Sequence, residues 1–206
     1  MAWLSRIPNT PWIKLALYIL GFIPALWYFY LGMVGGLGTD PIRTFEDKLG
    51  IWALRFLIAS LCITPLRKLV HINLLRYRRI IGLLAFYYVL LHFTVYLTLD
   101  KRLDWSLILH EISTKPYLII GAIAALLLLA LAVTSNNRSM KKLGKNWRRL
   151  HTLVYPATIG VGIHFMLAVK SWPTNMLVYN FILLVLLAYR VVASATKAKP
   201  QPIQNR

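Results

Sequence analysis

The apolar residues of this chain neither alternate nor keep to one face of a helix; they come in long unbroken runs. Six runs, Trp12–Val34, Lys48–Leu66, Ile80–Leu99, Pro116–Thr134, Leu150–Val169 and Met176–Ala195, each approach the roughly 20 residues that carry a helix across a ~30 Å hydrocarbon layer. The pattern predicts an all-α membrane protein, a bundle of six transmembrane helices. The connections are short and polar: Gly35, Gly36 and Gly38 after the first helix, Asp100 to Lys115 after the third, Ser135 to Arg149 after the fourth, all read as loops. The first run is longer than a signal-peptide core and no small-x-small cleavage site follows it, so it reads as a retained helix. The organisation expected is an N-terminus over 1–11, a six-helix domain over 12–195 and a tail over 196–206, where Pro200 and Pro202 suit disorder. No internal repeat is visible.

Composition agrees with that pattern, and charge orients it. The 206 residues are 58% hydrophobic, with mean hydropathy +0.60 and a net charge of +18. In a soluble chain such an excess of Lys and Arg would suggest nucleic acid. Here the basic residues sit between apolar runs, where they set topology and touch anionic lipid, so no nucleic-acid partner is expected. With the N-terminus inside, Arg67, Lys68, Arg76, Arg78, Arg79, Lys141, Lys142, Arg148, Arg149 and Arg190 all fall on the cytoplasmic side. The six acids, Asp40, Glu46, Asp47, Asp100, Asp104 and Glu111, fall outside. The expectation is N-in and C-in. Cys62 is the only cysteine, which excludes a disulfide within the chain, a Cys-x-x-Cys pair, a cysteine-held iron–sulfur cluster and c-type haem attachment.

Five histidines remain to be placed. His71 and His110 fall in loops. His92 on the third helix and His164 on the fifth each lie about 10 Å from the outer end at 1.5 Å per residue. Two imidazoles at one depth on two helices suit the axial positions of a haem iron held between them. A lone intramembrane histidine often only bonds a neighbouring helix, but a pair at one depth favours a functional role. His151, near the inner end of the fifth helix, is a candidate ligand for a second haem or another cofactor. Its counterparts on the third helix, Arg78 and Arg79, are not iron ligands but suit a propionate or a phosphate. On an ideal helix His151 and His164 point about 140° apart, which Pro156, Gly160 and Gly162 have scope to change. Arg55, placed a few positions inside the outer end of the second helix, either snorkels to the interface or pairs with a haem propionate. The aromatics, Trp27, Trp52, Tyr87, Tyr88 and Trp147 among them, read as interface belts and packing.

The stretches RRIIGLLAFYYVLLHF (Arg78–Phe93), KKLGKNWRRLHTLVYP (Lys141–Pro156) and IHF around His164 resemble the ferric-reductase-like transmembrane superfamily. With GLGTDP (Gly36–Pro41), ITPLRK (Ile63–Lys68) and TKPYL (Thr114–Leu118), the resemblance is closest to the haem-binding membrane subunits of periplasmic methionine sulfoxide reductase systems. It covers nearly the whole chain. It implies a b-type cytochrome of the bacterial inner membrane, with one or two haems b and His92, His151 and His164 as the matching ligand histidines. It implies electrons taken from the quinol pool and passed to a molybdopterin-containing, MsrP-like periplasmic subunit that repairs methionine sulfoxide. FMN is implied by the resemblance alone. After the sixth run only about ten residues follow, too few for the flavin and nucleotide domain of relatives that oxidise NAD(P)H themselves. Three other readings stay open: a membrane ferric reductase, a haem-free proton channel or transporter relaying protons through His92 and His164, and an assembly factor with a basic docking face.

Overall fold

The computed structural model describes residues 10–169 and 171–198, all-helical or turn among them. Six stretches are long and apolar enough to cross a membrane: Pro11–Met33, Pro41–Leu69, Leu75–Asp100, Pro116–Val133, Lys145–Ala168 and Thr174–Ser194. The residues expected to form the N-terminus and the tail lie largely outside the described ones.

Helix α1 (Pro11–Met33) opens with proline at its first position, where the missing N–H leaves no bond unmade. Helix α2 (Pro41–Leu69) begins seven residues before the expected start. The Asp40 side chain caps it by accepting from the Arg43 N–H at 3.1 Å, and Pro41 follows as first helical residue. Arg43, Glu46 and Asp47 therefore ride on turns of a helix that the hydrophobic run, starting at Lys48, did not include. Helix α3 (Arg78–Val95) follows a short 3-10 turn, Leu75–Tyr77, and ends in a π turn over Tyr96–Asp100.

Two expected loops contain helices. Helix α4 (Trp105–Thr114), capped by Asp104, occupies the Asp100–Lys115 connection, so His110 sits on a helix rather than in a loop and is exposed there. Helices α6 (Asn137–Leu143), capped by Asn136, and α7 (Lys145–Leu150) occupy the Ser135–Arg149 connection. These segments are too short and too polar to show as hydrophobic runs; their Asp and Asn caps were the available signal. Helices α5 (Pro116–Val133), α8 (Val154–Ala168) and α9 (Thr174–Ala198) complete the set.

The packing is built from two close pairs, α2 with α3 and α5 with α8, joined where α3 meets α5. Leu57, Leu61, Ala85, Leu128, Leu131 and Ala157 form the core where all four meet. In α2, 44% of the most apolar window is buried, against 11% in α1 and in α9, which places those two on the flanks. Large apolar residues exposed on the flanks, such as Leu26, Leu184 and Phe181, are what lipid would cover. All six acids gather at one end of the bundle; the basic residues from Arg67 to Arg79 and from Arg138 to Arg149 gather at the other.

Helix α1 is tied to α3 through an interruption in its own hydrogen bonding. Pro24 lies inside α1 and breaks the ladder there. The next N–H, of Ala25, would ordinarily donate to Gly21 O. It donates to the Tyr88 hydroxyl at 3.0 Å, and that hydroxyl donates to Gly21 O at 2.8 Å. Tyr88 is fully buried and packs against Phe22, Trp52 and Phe56. Tyr88→Phe leaves an N–H and a carbonyl without partners away from water and is expected to destabilise the fold by about 1–3 kcal/mol. Thermal unfolding in detergent checks this; an unchanged midpoint would mean that α1 closes the 25-to-21 bond directly.

Candidate functional site

The two histidines expected at one depth meet. His92, in the last turn of α3, and His164 on α8 have ring centroids 6.4 Å apart and planes at 82°. Each ring is held by its Nδ1: His92 to the backbone oxygen of Glu46 at 2.9 Å, His164 to that of Tyr117 at 2.8 Å. A carbonyl oxygen only accepts, so Nδ1 carries the proton in both rings and both Nε2 atoms keep a lone pair. The Glu46 carboxylate stands 4.0 Å from the His92 Nε2, too far for a hydrogen bond.

This arrangement fits an axial ligand pair. Two nitrogens about 2 Å from one metal on opposite sides place imidazole centres roughly 6 Å apart. Anchoring Nδ1–H on a carbonyl is the usual way a ligating imidazole is oriented and its tautomer fixed. Among the described residues no group of three or more His, Cys, Asp or Glu could hold a metal ion. The pair would supply two ligands, and a tetrapyrrole the four that a haem iron needs besides.

His151 stands apart and is otherwise engaged. The Thr134 hydroxyl donates its single hydrogen to Ala130 O at 2.7 Å, so across the 3.2 Å contact it accepts from the His151 Nε2. Trp147 stacks on the ring at 3.9 Å, with its own Nε1–H on Thr134 O at 3.0 Å. His151 opens a 3-10 turn, His151–Leu153, before α8. Such a turn advances about 120° per residue rather than about 100°, so three residues reduce the expected 140° offset from His164 to roughly 80°. Pro156 falls in the first turn of α8, where it breaks no bond. Arg78 lies within electrostatic reach of His151, Arg190 and Tyr155, while Arg79 donates to the Asn137 side chain at 3.0 Å.

Arg55 needs correcting. Because α2 starts at Pro41, Arg55 is at the midpoint of its helix and not near its end. Its Nε donates to the Tyr179 hydroxyl of α9 at 2.7 Å and its guanidinium lies 4.7 Å from the Trp52 ring centre. It bridges α2 and α9 instead of reaching freely for the interface. Among the described residues no carboxylate lies within ion-pair distance of it. His71 is exposed in the turn before α3.

At the acidic end Glu111 of α4 binds Lys115 at 2.6 Å and Lys101 at 3.0 Å, and accepts from the Tyr96 hydroxyl at 3.3 Å. Burial alone would raise its pKa, but the hydrogen bonds from Lys115 and Lys101 outweigh that and hold it below the ordinary 4.5. Burial likewise works against the Lys101 charge, yet Asp100 and Glu111 raise its pKa. A carboxylate depressed in the folded state stabilises above its ordinary value, and that contribution is lost as pH falls through the folded one. The protection factors of amides 105–114, with the intrinsic pH dependence of exchange divided out, are therefore expected to hold above pH 4.5 and to fall below it, and Glu111→Gln to remove that acid-dependent step.

The residues that seat the histidines, Glu46, Gly50, Tyr117 and Gly121, were not singled out in the sequence. The available signal was a glycine four residues after each accepting carbonyl, offset by 71 residues between Gly50 and Gly121, as His92 and His164 are by 72. The construction repeats in space although no repeat is visible in the sequence.

Comparison with known proteins gives two results. A family model described as ferric reductase like transmembrane component matches residues 49–162, more than half of the chain. The protein-methionine-sulfoxide reductase haem-binding subunits MsrQ of Brucella ovis, Brucella canis and Brucella suis are each 49% identical over 206 residues, covering 98% of this chain and 94% of each relative. No solved structure matches significantly.

Proposed function

The chain belongs to the ferric reductase like transmembrane family and, within it, to the MsrQ haem-binding subunits, and on that premise we propose that it holds a haem b between His92 and His164 and passes electrons from the quinol pool to a periplasmic methionine sulfoxide reductase. It is a multi-pass membrane protein. The observation that carries the proposal is the pair of imidazoles 6.4 Å apart with both Nδ1 atoms anchored and both Nε2 atoms unused.

A haem bound there supplies one-electron chemistry at iron; the chain supplies ligands, orientation and electrostatics. His92 and His164 would hold the iron, and Arg55, a cation without a carboxylate partner among the described residues, is positioned on α2 to favour a propionate. The geometry supports one haem. A ligand role for His151 would require its ring to leave Thr134, and Arg78 and Arg79 would then be the basic groups at hand for a propionate or for the phosphate of FMN.

The ends of the bundle give the direction. Basic residues concentrate at the end opposite the histidine pair, which under the positive-inside rule supports a cytoplasmic assignment for that end and the N-in, C-in reading. Reporter fusions at Arg76 and Lys142 should read cytoplasmic. The histidine pair would then lie toward the periplasm beneath a charged rim where Asp40, Asp100 and Asp104 stand among Arg43, Lys101 and Arg102, suited to a salt-sensitive encounter with a soluble molybdopterin subunit.

The test is electron flow in native membranes. Quinol should reduce the haem, and the oxidised MsrP-like partner should reoxidise it without NADH. Haem that stays oxidised with quinol but is reduced by a cytosolic flavin reductase and NADH would replace the donor. Reoxidation by ferric chelates and not by the sulfoxide-reducing partner would make the chain a ferric reductase, the reading its broader family name favours.

A further inference from the structure

We infer that Gly50 and Gly121 are positioning residues that seat the two haem-facing imidazoles, an inference resting on the haem reading above. The two seats are built alike. The His92 ring lies over Gly50, so that a Cβ there would meet Nδ1 at 3.3 Å and Cε1 at 3.4 Å. The His164 ring lies over Gly121 more tightly: a Cβ would meet Nδ1 at 2.6 Å and Cε1 at 2.8 Å, closer than real Cβ atoms come. In each case Nδ1–H bonds the carbonyl four residues before the glycine, that of Glu46 or of Tyr117. In a helix that carbonyl already serves the glycine's own N–H. It can serve both donors because a carbonyl oxygen has two lone pairs. At Gly121 the imidazole reaches it because no side chain stands on the glycine; at Gly50 a Cβ would crowd the ring and shift it by a few tenths of an ångström.

The same contact sets tautomer and orientation. Losing Nδ1–H···O=C frees the ring to rotate and makes it a weaker donor to iron. A side chain on either glycine therefore acts on the haem through a histidine and not by touching it. The rival explanation is that these glycines only let helices approach, as small residues do in membrane bundles. Two other glycines separate the cases. A Cβ on Gly160 of α8 would meet the Ala124 Cβ of α5 at 3.3 Å, at the same helix pair as Gly121 but without a histidine. A Cβ on Gly82 of α3 would make only an ordinary 3.7 Å contact with the Ser60 hydroxyl. In all four, alanine also raises helix propensity, by about 1 kcal/mol, so a loss at Gly121 runs against the intrinsic trend.

The experiment compares Gly121→Ala, Gly50→Ala, Gly160→Ala, Gly82→Ala and His164→Ala in the full chain, purified with haem. The readouts are haem content, the low-spin ferric EPR spectrum, which responds to the angle between axial imidazole planes, and the midpoint potential. Gly121→Ala is expected to weaken haem retention roughly 10- to 100-fold. Gly50→Ala should keep its haem with shifted g-values and a shifted potential, and Gly160→Ala and Gly82→Ala should match the parent. If Gly121→Ala does not fold, Gly50→Ala decides. Parental g-values and potential in both seat variants, with haem lost in His164→Ala, would overturn the inference and leave the haem reading standing. Haem unchanged in His164→Ala would overturn the haem reading itself.

Discussion

His92→Ala and His164→Ala, made singly, are each expected to strip the haem or convert it to a high-spin form with little of the reducible low-spin spectrum left. In the proposed site each imidazole would be one of the two protein ligands to the iron, and neither would have a substitute. Among the described residues the remaining histidines are exposed, as His71 and His110 are, or bonded to Thr134, as His151 is. The loss should be at least as large as the roughly 10- to 100-fold fall in affinity that follows removal of an outer-shell partner. His151→Ala is the control: it removes a stacked ring near the basic end and should leave the low-spin haem bound. If His151→Ala abolishes the haem while His164→Ala keeps it, the site lies at the other end of α8.

Arg55→Leu is expected to act with opposite sign on the protein with and without haem. A cation among apolar residues in a membrane helix costs about 2.5–3.5 kcal/mol at the helix centre on insertion scales. The Tyr179 hydrogen bond and the Trp52 face offset part of that. Leucine should therefore leave the haem-free protein more stable, by about 1 kcal/mol. Arg55 lies five residues beyond Gly50, about 8 Å of helix rise from the His92 seat. Removing a fixed positive charge at that range favours the oxidised haem, so the midpoint potential should fall by tens of millivolts. Spectroelectrochemistry together with thermal unfolding of the haem-free form checks both signs. A potential that does not move would show that Arg55 only joins α2 to α9.

Long apolar runs are read easily because the bilayer imposes one length on all of them, and five of the six spans begin and end within five residues of where the runs place them. The second does not, because a helix that projects beyond the apolar layer carries Arg43, Glu46, Asp47 and Lys48 on its first turns and resembles a loop there. That shift moved Arg55 to mid-helix. His92 and His164 could be paired from depth alone, since rise per residue is fixed once topology is. Their seats could not. A glycine in a membrane helix has many uses, and only the packing of α3 on α2 and of α8 on α5 shows which glycine lies under which ring. The reach of His151 to Thr134 was hidden for the same reason: it depends on a 3-10 turn that changes the helical phase by about 60°.

The account rests on a haem held by two imidazoles, and the most direct measurement is the dithionite-reduced minus oxidised spectrum, with haem quantification, of the purified chain from haem-replete cells. A reducible low-spin b-type spectrum, lost in His92→Ala and in His164→Ala alike, is the predicted result. A purified, folded protein without a Soret band would contradict it, leaving the two histidines to a haem-free role such as proton relay.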